Sequence, residues 1–262
     1  MKLRLIDASA APSGSAIPGG LPGALNMGID EALIASVSRG LSPPTLRIYT
    51  WSPPCVTVGY FQSLEAEVDI EACRAAGVDT VRRLTGGGAV YHDAEITYSI
   101  VLPIGHSLAP EDILESYRLI CAGLVQGLDR LGIKAAFEPI NDIATGGKKI
   151  SGNAQTRRSG CLLQHGTVLL DLNPERMFSL LKVPAEKLKG KLIEDVRARV
   201  TCLRAILGRS VSFQEAADAL RSGFARAWGA EFIEAPLSEL EEVEARRLAA
   251  ERFSKPEWNA RR

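Results

Sequence analysis

Three consecutive glycines, Gly86–Gly88, lie between two β-like runs of the sequence. Three glycines in a row lose much conformational entropy on folding, and an ordinary turn rarely needs them all. Backbone without side chains can approach a ligand closely and direct free N–H groups at an anion. Because Arg82 and Arg83 lie shortly before the triplet and supply positive charge, the segment predicts a binding loop for a carboxylate or a phosphate.

Two common phosphate loops are excluded by the neighbouring residues. The dinucleotide pattern G-x-G-x-x-G requires a glycine where Tyr91 stands, and a P-loop requires serine or threonine where Lys149 follows Gly147-Lys148. A β-bulge or a hairpin with strained glycines is the structural alternative to a ligand loop. The arginines before the triplet and the pair His92-Asp93 after it favour a site.

A second polar group lies between positions 141 and 155. Asn141-Asp142 precedes a predicted turn at Gly146-Gly147, and Lys149 follows that turn at the start of a predicted strand. A lysine in this place can stabilise negative charge that develops on an acyl or phosphoryl oxygen. Asp142 is suited either to hold a magnesium ion or to orient the lysine. The alternative is a hairpin tip with two exposed lysines.

A third candidate is His165, which precedes an apolar run typical of a buried strand. Cys161 lies four residues earlier, so in a strand both side chains would share one face. That arrangement permits a Cys–His nucleophile. The alternative is a hydrogen-bonded histidine in the core.

The elements that position these residues are mainly strands before position 171 and helices after it. The predicted elements are β-like runs at 45–50, 55–60 and 79–102, a helix at 110–132, a strand–turn–strand unit at 135–171 and capping boxes at 212–215 and 238–241. We predict an α/β (α+β) fold with a mixed β-sheet, flanking helices and a helical C-terminal segment. Residues 1–262 form one predicted catalytic domain, in which 185–262 is a mostly helical extension.

Composition excludes several classes of protein. The 262 residues are 46% hydrophobic and 24% charged, as in globular proteins. The 31 basic and 31 acidic residues balance, whereas nucleic-acid binders usually carry a basic excess. No apolar run approaches the roughly 18 residues that a membrane span needs. Five widely spaced cysteines without a CxxC pair predict a reduced, cytoplasmic protein.

Together these motifs resemble the group of lipoate–protein ligases and octanoyltransferases, which shares its fold with biotin–protein ligases. The resemblance is carried by 83–93, 149–155 and 165–167, and it extends to 58–62 and 255–259. It therefore covers nearly the whole chain. It implies acyl transfer to a lysine of a lipoyl domain, either in a 2-oxoacid dehydrogenase complex or in the glycine cleavage H protein. Neither nucleic acid nor a membrane is an expected partner.

The resemblance also implies the roles of single residues. Lys149 would be catalytic, in contact with the carbonyl and the phosphate of lipoyl-AMP. Asn141 and Asp142 would lie near the adenylate and its Mg²⁺, and His165 would lie at the acyl end of the pocket. The binding residues expected in all are Arg83, Thr85, Gly86, Gly87, Gly88, Ala89, Val90, Tyr91, His92, Asn141, Asp142, Ser151, Gly152 and His165.

The two branches of the group differ in their nucleophile. Residues 92–99 resemble the octanoyltransferases, but that branch carries a cysteine before its lysine motif, and residues 122–160 contain none. A transferase without its nucleophile cannot form an acyl-thioester intermediate. We therefore predict a lipoate–protein ligase that activates lipoate with Mg-ATP to lipoyl-AMP.

Two alternatives to the ligase are kept. One is an octanoyltransferase that uses octanoyl-acyl carrier protein, with Cys161 as a displaced nucleophile. The other is a non-catalytic relative that only binds lipoyl domains. The chain ends soon after Trp258, so no C-terminal accessory domain is expected, and a separate accessory protein is a further expected partner.

Overall fold

The structure, a computed structural model, describes residues 1–7, 20–182 and 186–261. Its strands are β1 (Lys2–Asp7), β2 (Gly20–Leu21), β3 (Thr45–Trp51), β4 (Cys55–Val58), β5 (Asp79–Arg82), β6 (Val90–His92), β7 (Glu95–Pro103), β8 (Ala136–Glu138), β9 (Asp142–Thr145), β10 (Lys148–Arg158), β11 (Cys161–Leu169) and β12 (Glu231–Glu234). Its helices are α1 (Gly23–Ser38), α2 (Leu64–Glu67), α3 (Ile70–Ala75), α4 (Ile113–Arg130), α5 (Pro174–Leu180), α6 (Glu186–Arg199), α7 (Leu203–Leu207), α8 (Phe213–Trp228), α9 (Glu239–Leu248) and α10 (Pro256–Asn259), with a π-helical segment at Ala249–Phe253.

The main sheet is mixed, as predicted. Its spatial order is β12-β1-β3-β7-β11-β10-β9-β8, with β2 beside β3. The first three strands run parallel, and every neighbouring pair from β3 to β8 is antiparallel. A smaller sheet, β5-β4-β6, carries the residues on both sides of the glycine triplet. The predicted α/β fold with flanking helices is confirmed.

The segment predicted as one strand–turn–strand unit contains four strands, β8 to β11. Two turns are additional to the predicted one at Gly146-Gly147: one joins β8 to β9, and the other lies at Ser159-Gly160, where both residues have positive φ, at 49° and 72°. A two-residue hairpin turn needs positive φ at both residues when its twist is to match that of the flanking strands. Only glycine adopts this conformation without strain. Because position 159 is a serine, the sequence did not indicate a turn there.

Side chains of the main sheet alternate between two helical layers. Along β7, Ile96, Tyr98 and Ile100 join the apolar core beneath α4 and α8. Ser99 points the other way and donates a hydrogen bond to Asp30 of α1. The sheet is thus covered on both faces. No helix in the described parts of the chain is long and apolar enough to cross a membrane.

Helices α4 and α8 approach each other through glycines. A Cβ atom at Gly223 would lie 2.2 Å from the backbone nitrogen of Gly127 and 2.5 Å from the carbonyl oxygen of Gly123. Since backbone cannot retreat as a side chain can, we expect Gly223→Ala to lower the free energy of unfolding by about 1–3 kcal/mol or more. Gly190 of α6 faces open space, so Gly190→Ala should instead add up to about 1 kcal/mol. Thermal unfolding of both variants tests this, and equal melting temperatures would contradict it.

The capping box predicted at 238–241 is confirmed, and it also anchors the first strand. At 212–215, Ser212 accepts the backbone hydrogen bond of Glu215, but the Glu215 carboxylate pairs with Arg209. Ser238 accepts a hydrogen bond from the backbone of Glu241, whose carboxylate accepts one from the backbone of Ser238. The same carboxylate binds both terminal nitrogens of Arg4 on β1, at 2.7 and 2.9 Å. Both ionic side chains are buried, so α9 is tied to the sheet by a two-pronged ion pair.

This ion pair makes stability depend on pH. Burial alone would raise the pKa of Glu241, but hydrogen bonds from Arg4, the Ser238 backbone and Ser42 lower it to about 2, below the ordinary 4.5. Its stabilising contribution is therefore complete above about pH 4.5 and is lost as the pH falls towards 2. We expect the melting-temperature gap between the wild type and Glu241→Gln to shrink over that interval. A gap that is constant with pH would refute this origin.

Candidate functional site

A cavity of about 570 Å³ is bounded by the main sheet and the glycine loop. Its floor crosses four neighbouring strands. In register, Tyr49 of β3 lies beside Thr97 of β7, Thr97 beside Thr167 of β11, and Thr167 beside Gly152 of β10. Since neighbouring strands lie about 4.8 Å apart, this row is about 14 Å long. The size is that of a small-molecule site.

The cavity gathers most of the predicted site residues. Those that line it are Arg83, Gly87, Gly88, Ala89, Val90, Tyr91, His92, Asn141, Lys149, Ser151, Gly152 and His165. The lining does not include Thr85, Gly86 or Asp142. Each of these three contacts a residue that does line the cavity.

Lys149 lies at the Gly152 end of the floor. Its Nζ is 2.7 Å from Oδ1 of Asp142, and a Cβ atom at Gly152 would lie 2.9 Å from the same Nζ. The lysine therefore folds across the strand only because position 152 has no side chain. The preceding Lys148 turns away and donates to the carbonyl oxygen of Arg197 at 3.0 Å. The structure thus separates the two lysines, and Lys149 is the one in the cavity.

Asn141 holds the segment that presents Asp142. Its carbonyl oxygen accepts from the backbone nitrogen of Asn153 at 3.0 Å and from Nδ2 of Asn153 at 2.8 Å. The side chain of Asn141 donates back to the carbonyl oxygen of Asn153. Tyr98 fixes the Asn153 amide from the other side at 2.8 Å. The Asn141-Asp142 pair is thereby set firmly against β10.

The residues around Asp142 do not fit the predicted magnesium site. Among the described residues, no group of three or more His, Cys, Asp or Glu side chains could hold a metal ion. The Asp142 carboxylate already has a cationic partner in Lys149. Of the two roles predicted for Asp142, the arrangement favours the orientation of the lysine.

Arg83 is buried beneath the glycine triplet. Its Nη2 donates to the carbonyl oxygens of Gly86 and Gly88, at 2.7 and 2.8 Å. Its Nη1 and Nε donate to the hydroxyls of Thr57 and Thr85, at 3.0 and 3.2 Å. Burial lowers the pKa of Arg83 to about 10, so it stays charged at neutral pH. All three guanidinium nitrogens serve the loop and its neighbours, so Arg83 shapes the cavity wall.

The triplet bends over this guanidinium. Gly87 has a φ of +96°, a conformation that glycine alone adopts readily. The other arginine of the motif, Arg82, points away from the cavity and donates to carbonyl oxygens of Gly59, Gln62 and Asn259. It ties α10 to the small sheet. The two arginines predicted to face an anion thus have separate structural tasks.

His165 has a protein partner at each ring nitrogen. Nδ1 lies 3.3 Å from Asp30 of α1, and Nε2 lies 2.7 Å from the hydroxyl of Thr85. Burial lowers the pKa of His165, against the opposing effect of Asp30. The ring is therefore neutral at pH 7. Asp30 also pairs with Arg47 at 3.5 Å, so the histidine belongs to a buried polar network.

His92 is held in a similar way. Nδ1 lies 2.7 Å from Oε1 of Glu95, Nε2 lies 2.9 Å from the Thr57 hydroxyl, and the ring stacks on Trp51. The second Glu95 oxygen and the Tyr49 hydroxyl are buried, and neither has a hydrogen-bond partner within the described parts of the chain. Both residues line the cavity. Buried polar atoms without partners are rare, and these two are available to a ligand.

Cys161 and His165 lie on one face of β11, as their spacing predicted. Both contact α1, the cysteine through the carbonyl oxygen of Ile34 at 3.9 Å and the histidine through Asp30. Four residues separate them by about 13 Å along the strand, so they cannot form a nucleophilic pair. The Cys161 thiol is fully buried in the α1 core and does not reach the cavity.

Sequence reasoning missed much of the lining. The missed residues include Met27, Tyr49, Trp51, Thr57, Glu95, Thr97, Asn153, Leu169, Met177, Val196 and Val200. Those on β3 and β7 follow the period of two on the cavity face, and the strand register would have identified them. The two valines of the α6 region carry no local signal, because their segment is basic and typical of a solvated helix.

Comparison with known proteins shows extensive similarity. Residues 22–225 match the family described as the lipoyl protein ligase A/B catalytic domain. The octanoyltransferase LipM of Symbiobacterium thermophilum is 41% identical over 92% of this chain and 95% of its own length. That of Kyrpidia tusciae is 40% identical over 91% and 95%. A bipartite lipoate protein ligase solved with its E2 lipoyl domain, from Thermoplasma acidophilum, matches with a TM-score of 0.84 at 32% identity, over 99% of this chain and 95% of that one.

These relatives correct the predicted reaction. The prediction of ATP-dependent lipoate ligation is wrong, because the curated relatives at 40% and 41% identity over almost the full length are octanoyltransferases. The predicted ATP, Mg²⁺ and lipoyl-AMP find no support in relatives with that activity. The error came from giving the missing cysteine more weight than the transferase-like segment at 92–99.

Proposed function

The chain belongs to the lipoyl protein ligase A/B catalytic domain family, an enzyme family of protein lipoylation, and within it we propose that the protein is an octanoyltransferase. It moves an octanoyl group from octanoyl-acyl carrier protein to the lysine amine of an apo lipoyl domain. The observation that carries the proposal is the ion pair between Lys149 and Asp142, in which the lysine lines the cavity at one end of the row of residues on its floor. The identity of the acyl group, octanoyl, is inferred from the relatives, which are octanoyltransferases.

The cavity suits an acyl chain. Met27, Trp51, Val90 and Leu169 contribute apolar surface to its lining. An extended eight-carbon chain is about 9 Å long, at roughly 1.2 Å per bond, and therefore fits along the row on the cavity floor. With the carbonyl at Lys149, the tail points towards Tyr49 at the far end. Apolar contact holds the tail, and the few polar groups fix its orientation.

The reacting carbonyl then lies beside a positive charge. Attack on a thioester carbonyl moves an electron pair onto its oxygen, and the ammonium of Lys149 stabilises that oxyanion. Asp142 holds the ammonium in place before the substrate arrives, so little reorganisation is needed during the reaction. The neutral His165 and the buried Arg83 keep the cavity wall in shape and take no part in proton transfer.

A lipoyl domain is the acceptor in this proposal. The Thermoplasma acidophilum relative is described together with its E2 lipoyl domain, which supports the same class of partner here. The acceptor lysine is a long, unbranched side chain, which suits it to reach a carbonyl beside Lys149, whose own side chain is 43% exposed.

The proposal is tested with purified protein, octanoyl-acyl carrier protein and an apo lipoyl domain, without any nucleotide. The mass of the acceptor should rise by one octanoyl group, and an acceptor whose target lysine is replaced by arginine should stay unmodified. Modification that occurs only when free lipoate or octanoate and Mg-ATP are supplied would overturn the proposal. Absence of modification under both conditions would instead favour a protein that only binds lipoyl domains.

A further inference from the structure

A second cavity, of about 670 Å³, adjoins the cavity that contains Lys149. The two cavities have four lining residues in common: Asp171, Leu172, Asn173 and Val200. Their common wall lies at the lysine end of the first cavity, because Val200 forms a parallel bridge with Lys149 and the backbone nitrogen of Thr201 donates to the Lys149 carbonyl oxygen at 2.8 Å. A ligand whose reacting carbonyl lies at Lys149 is therefore placed to extend its other half into the second cavity.

The proposed donor has another half of definite chemistry. The thiol that carries the acyl group on an acyl carrier protein belongs to a phosphopantetheine arm, a flexible chain with two amide groups that ends in a phosphate ester. The thioester carbonyl lies at one end of this arm and the phosphate at the other. A site for the arm therefore needs hydrogen-bonding groups along its length and cationic groups at its far end.

Two arginines of the second cavity suit the phosphate. Arg197 and Arg204 line it, with side chains that are 59% and 60% exposed. Within the described parts of the chain, each guanidinium pairs through a single terminal nitrogen, Nη2 of Arg197 with Glu175 and Nη1 of Arg204 with Asp171. A guanidinium has five N–H donors in a planar fork. Most of these donors therefore remain for a phosphate, which arginine binds through two parallel hydrogen bonds.

The carboxylate partners of the arginines do not close this site. Glu175 and Asp171 are 53% and 42% exposed, and ion pairs of such exposure contribute little to stability. An arginine can therefore turn from its carboxylate to a phosphate at little cost. The lining includes one more cation, Lys148, whose ammonium already donates to the carbonyl oxygen of Arg197. With three cations and two carboxylates, the lining has a net positive charge.

The remaining lining suits the middle of the arm. Asn173 and Thr201 contribute an amide and a hydroxyl, the groups that hydrogen-bond to the amides of the arm. Leu172, Pro174 and Val200 contribute apolar surface for its methylene and methyl groups. A cavity of this volume, mostly apolar with a few polar groups, has the composition of a small-molecule site.

From this arrangement we propose that the second cavity binds the phosphopantetheine arm of the donor, with the phosphate at Arg197 and Arg204. The inference rests on the proposed octanoyltransferase function and adds to it the subsite for the carrier side of the thioester. The arm passes the common wall beside Val200, and the carbonyl then lies at Lys149. The octanoyl chain and the arm thus occupy one cavity each.

Two small thioesters that differ only in the phosphate test this subsite. Octanoyl-phosphopantetheine and octanoyl-pantetheine are each supplied with an apo lipoyl domain, and kcat/KM is measured for both donors. The phosphate should raise kcat/KM of the wild type by about tenfold or more, since charge-assisted hydrogen bonds are the strong ones. In Arg204→Met, kcat/KM for the phosphorylated donor should fall by about tenfold more than that for the unphosphorylated donor. An equal loss for both donors, or a wild type indifferent to the phosphate, would overturn the proposal.

Arg209→Met is the matched control. Arg209 belongs to the same basic segment and forms a similarly exposed ion pair with Glu215, but it does not line the second cavity. This variant should keep the full advantage of the phosphorylated donor. A loss as large as that in Arg204→Met would mean that the phosphate responds to the general charge of the segment, and would overturn the subsite.

A binding measurement makes the test independent of acyl transfer. Calorimetric titration compares phosphopantetheine with pantetheine, both without an acyl group, on the wild type and the two arginine variants. Phosphopantetheine should bind the wild type and Arg209→Met about tenfold more tightly than pantetheine does, and this difference should shrink in Arg204→Met. Equal affinities for the two ligands on the wild type would overturn the subsite. Absence of transfer from either thioester would instead remove the proposed octanoyltransferase function, and the subsite would then be decided by this titration.

Discussion

Lys149→Ala is expected to lower the rate of octanoyl transfer by about 10²–10³-fold, the usual effect of removing one oxyanion-stabilising donor. The ammonium lies in the cavity, held by Asp142 at 2.7 Å. It is the only contribution to the chemical step that we assign to a charged side chain of this cavity. Transfer rates at saturating donor and acceptor measure the effect on the chemical step.

The neighbouring lysine is a matched control for this variant. Lys148 has the same chemistry one residue away, but its side chain points to the carbonyl oxygen of Arg197. Lys148→Ala should leave the transfer rate within about threefold of the wild type, since a rim residue contributes little to the transition state. Equal losses in the two variants would mean that the charge acts through the overall field of the protein and not at the carbonyl.

The second large effect concerns stability. Arg47→Met is expected to lower the free energy of unfolding by about 3–5 kcal/mol, the range for removing one partner of a buried ion pair. Arg47 is 2% exposed and Asp30 is 1% exposed, so the variant leaves the carboxylate buried without its arginine. Ser99 and His165 still contact Asp30, but neither supplies a permanent charge. Urea unfolding measures the loss.

A surface pair provides the comparison. Arg118 and Glu115 form an ion pair on α4, with side chains 58% and 40% exposed, and such pairs contribute only about 0–1 kcal/mol. Arg118→Met should therefore be nearly neutral. Adding Asp30→Asn to Arg47→Met should recover part of the loss, because the unpaired charge disappears. A neutral Arg47→Met would show that the buried network relaxes around the gap.

The general architecture was accessible from the sequence because its signals are local. The β-branched and aromatic content of 45–50 and 96–102 predicts strands, and the spacing of apolar residues over 110–132 predicts the long helix α4. The capping box at 238–241 is equally local. The hairpin at Ser159-Gly160 was missed because one of its two positive-φ residues is not glycine.

The site was accessible only in part. The glycine triplet, Lys149 and His165 lie in unusual local sequence, and the fold brings all of them to one cavity. The contact of Arg83 with Thr57 was not accessible, since Thr57 lies on another strand, 26 residues earlier in the chain. Val196 and Val200 were missed for the same reason. Contacts that form only through tertiary packing produce no recognisable pattern in the local sequence around either residue.

The reaction type was the largest error. A single absence, the lack of cysteine over 122–160, outweighed a resemblance spread over the flanking segments. Chemistry argued from one missing residue assumes that the reaction has only one route.

The most direct test of the octanoyltransferase assignment is a comparison of two rates under identical conditions. One reaction contains octanoyl-acyl carrier protein and apo lipoyl domain without nucleotide, and the other contains free octanoate, Mg-ATP and the same acceptor. We expect octanoylation in the first reaction and none in the second, with the first lost in Lys149→Ala and kept in Lys148→Ala. Octanoylation that depends on Mg-ATP and ignores the thioester would contradict the assignment.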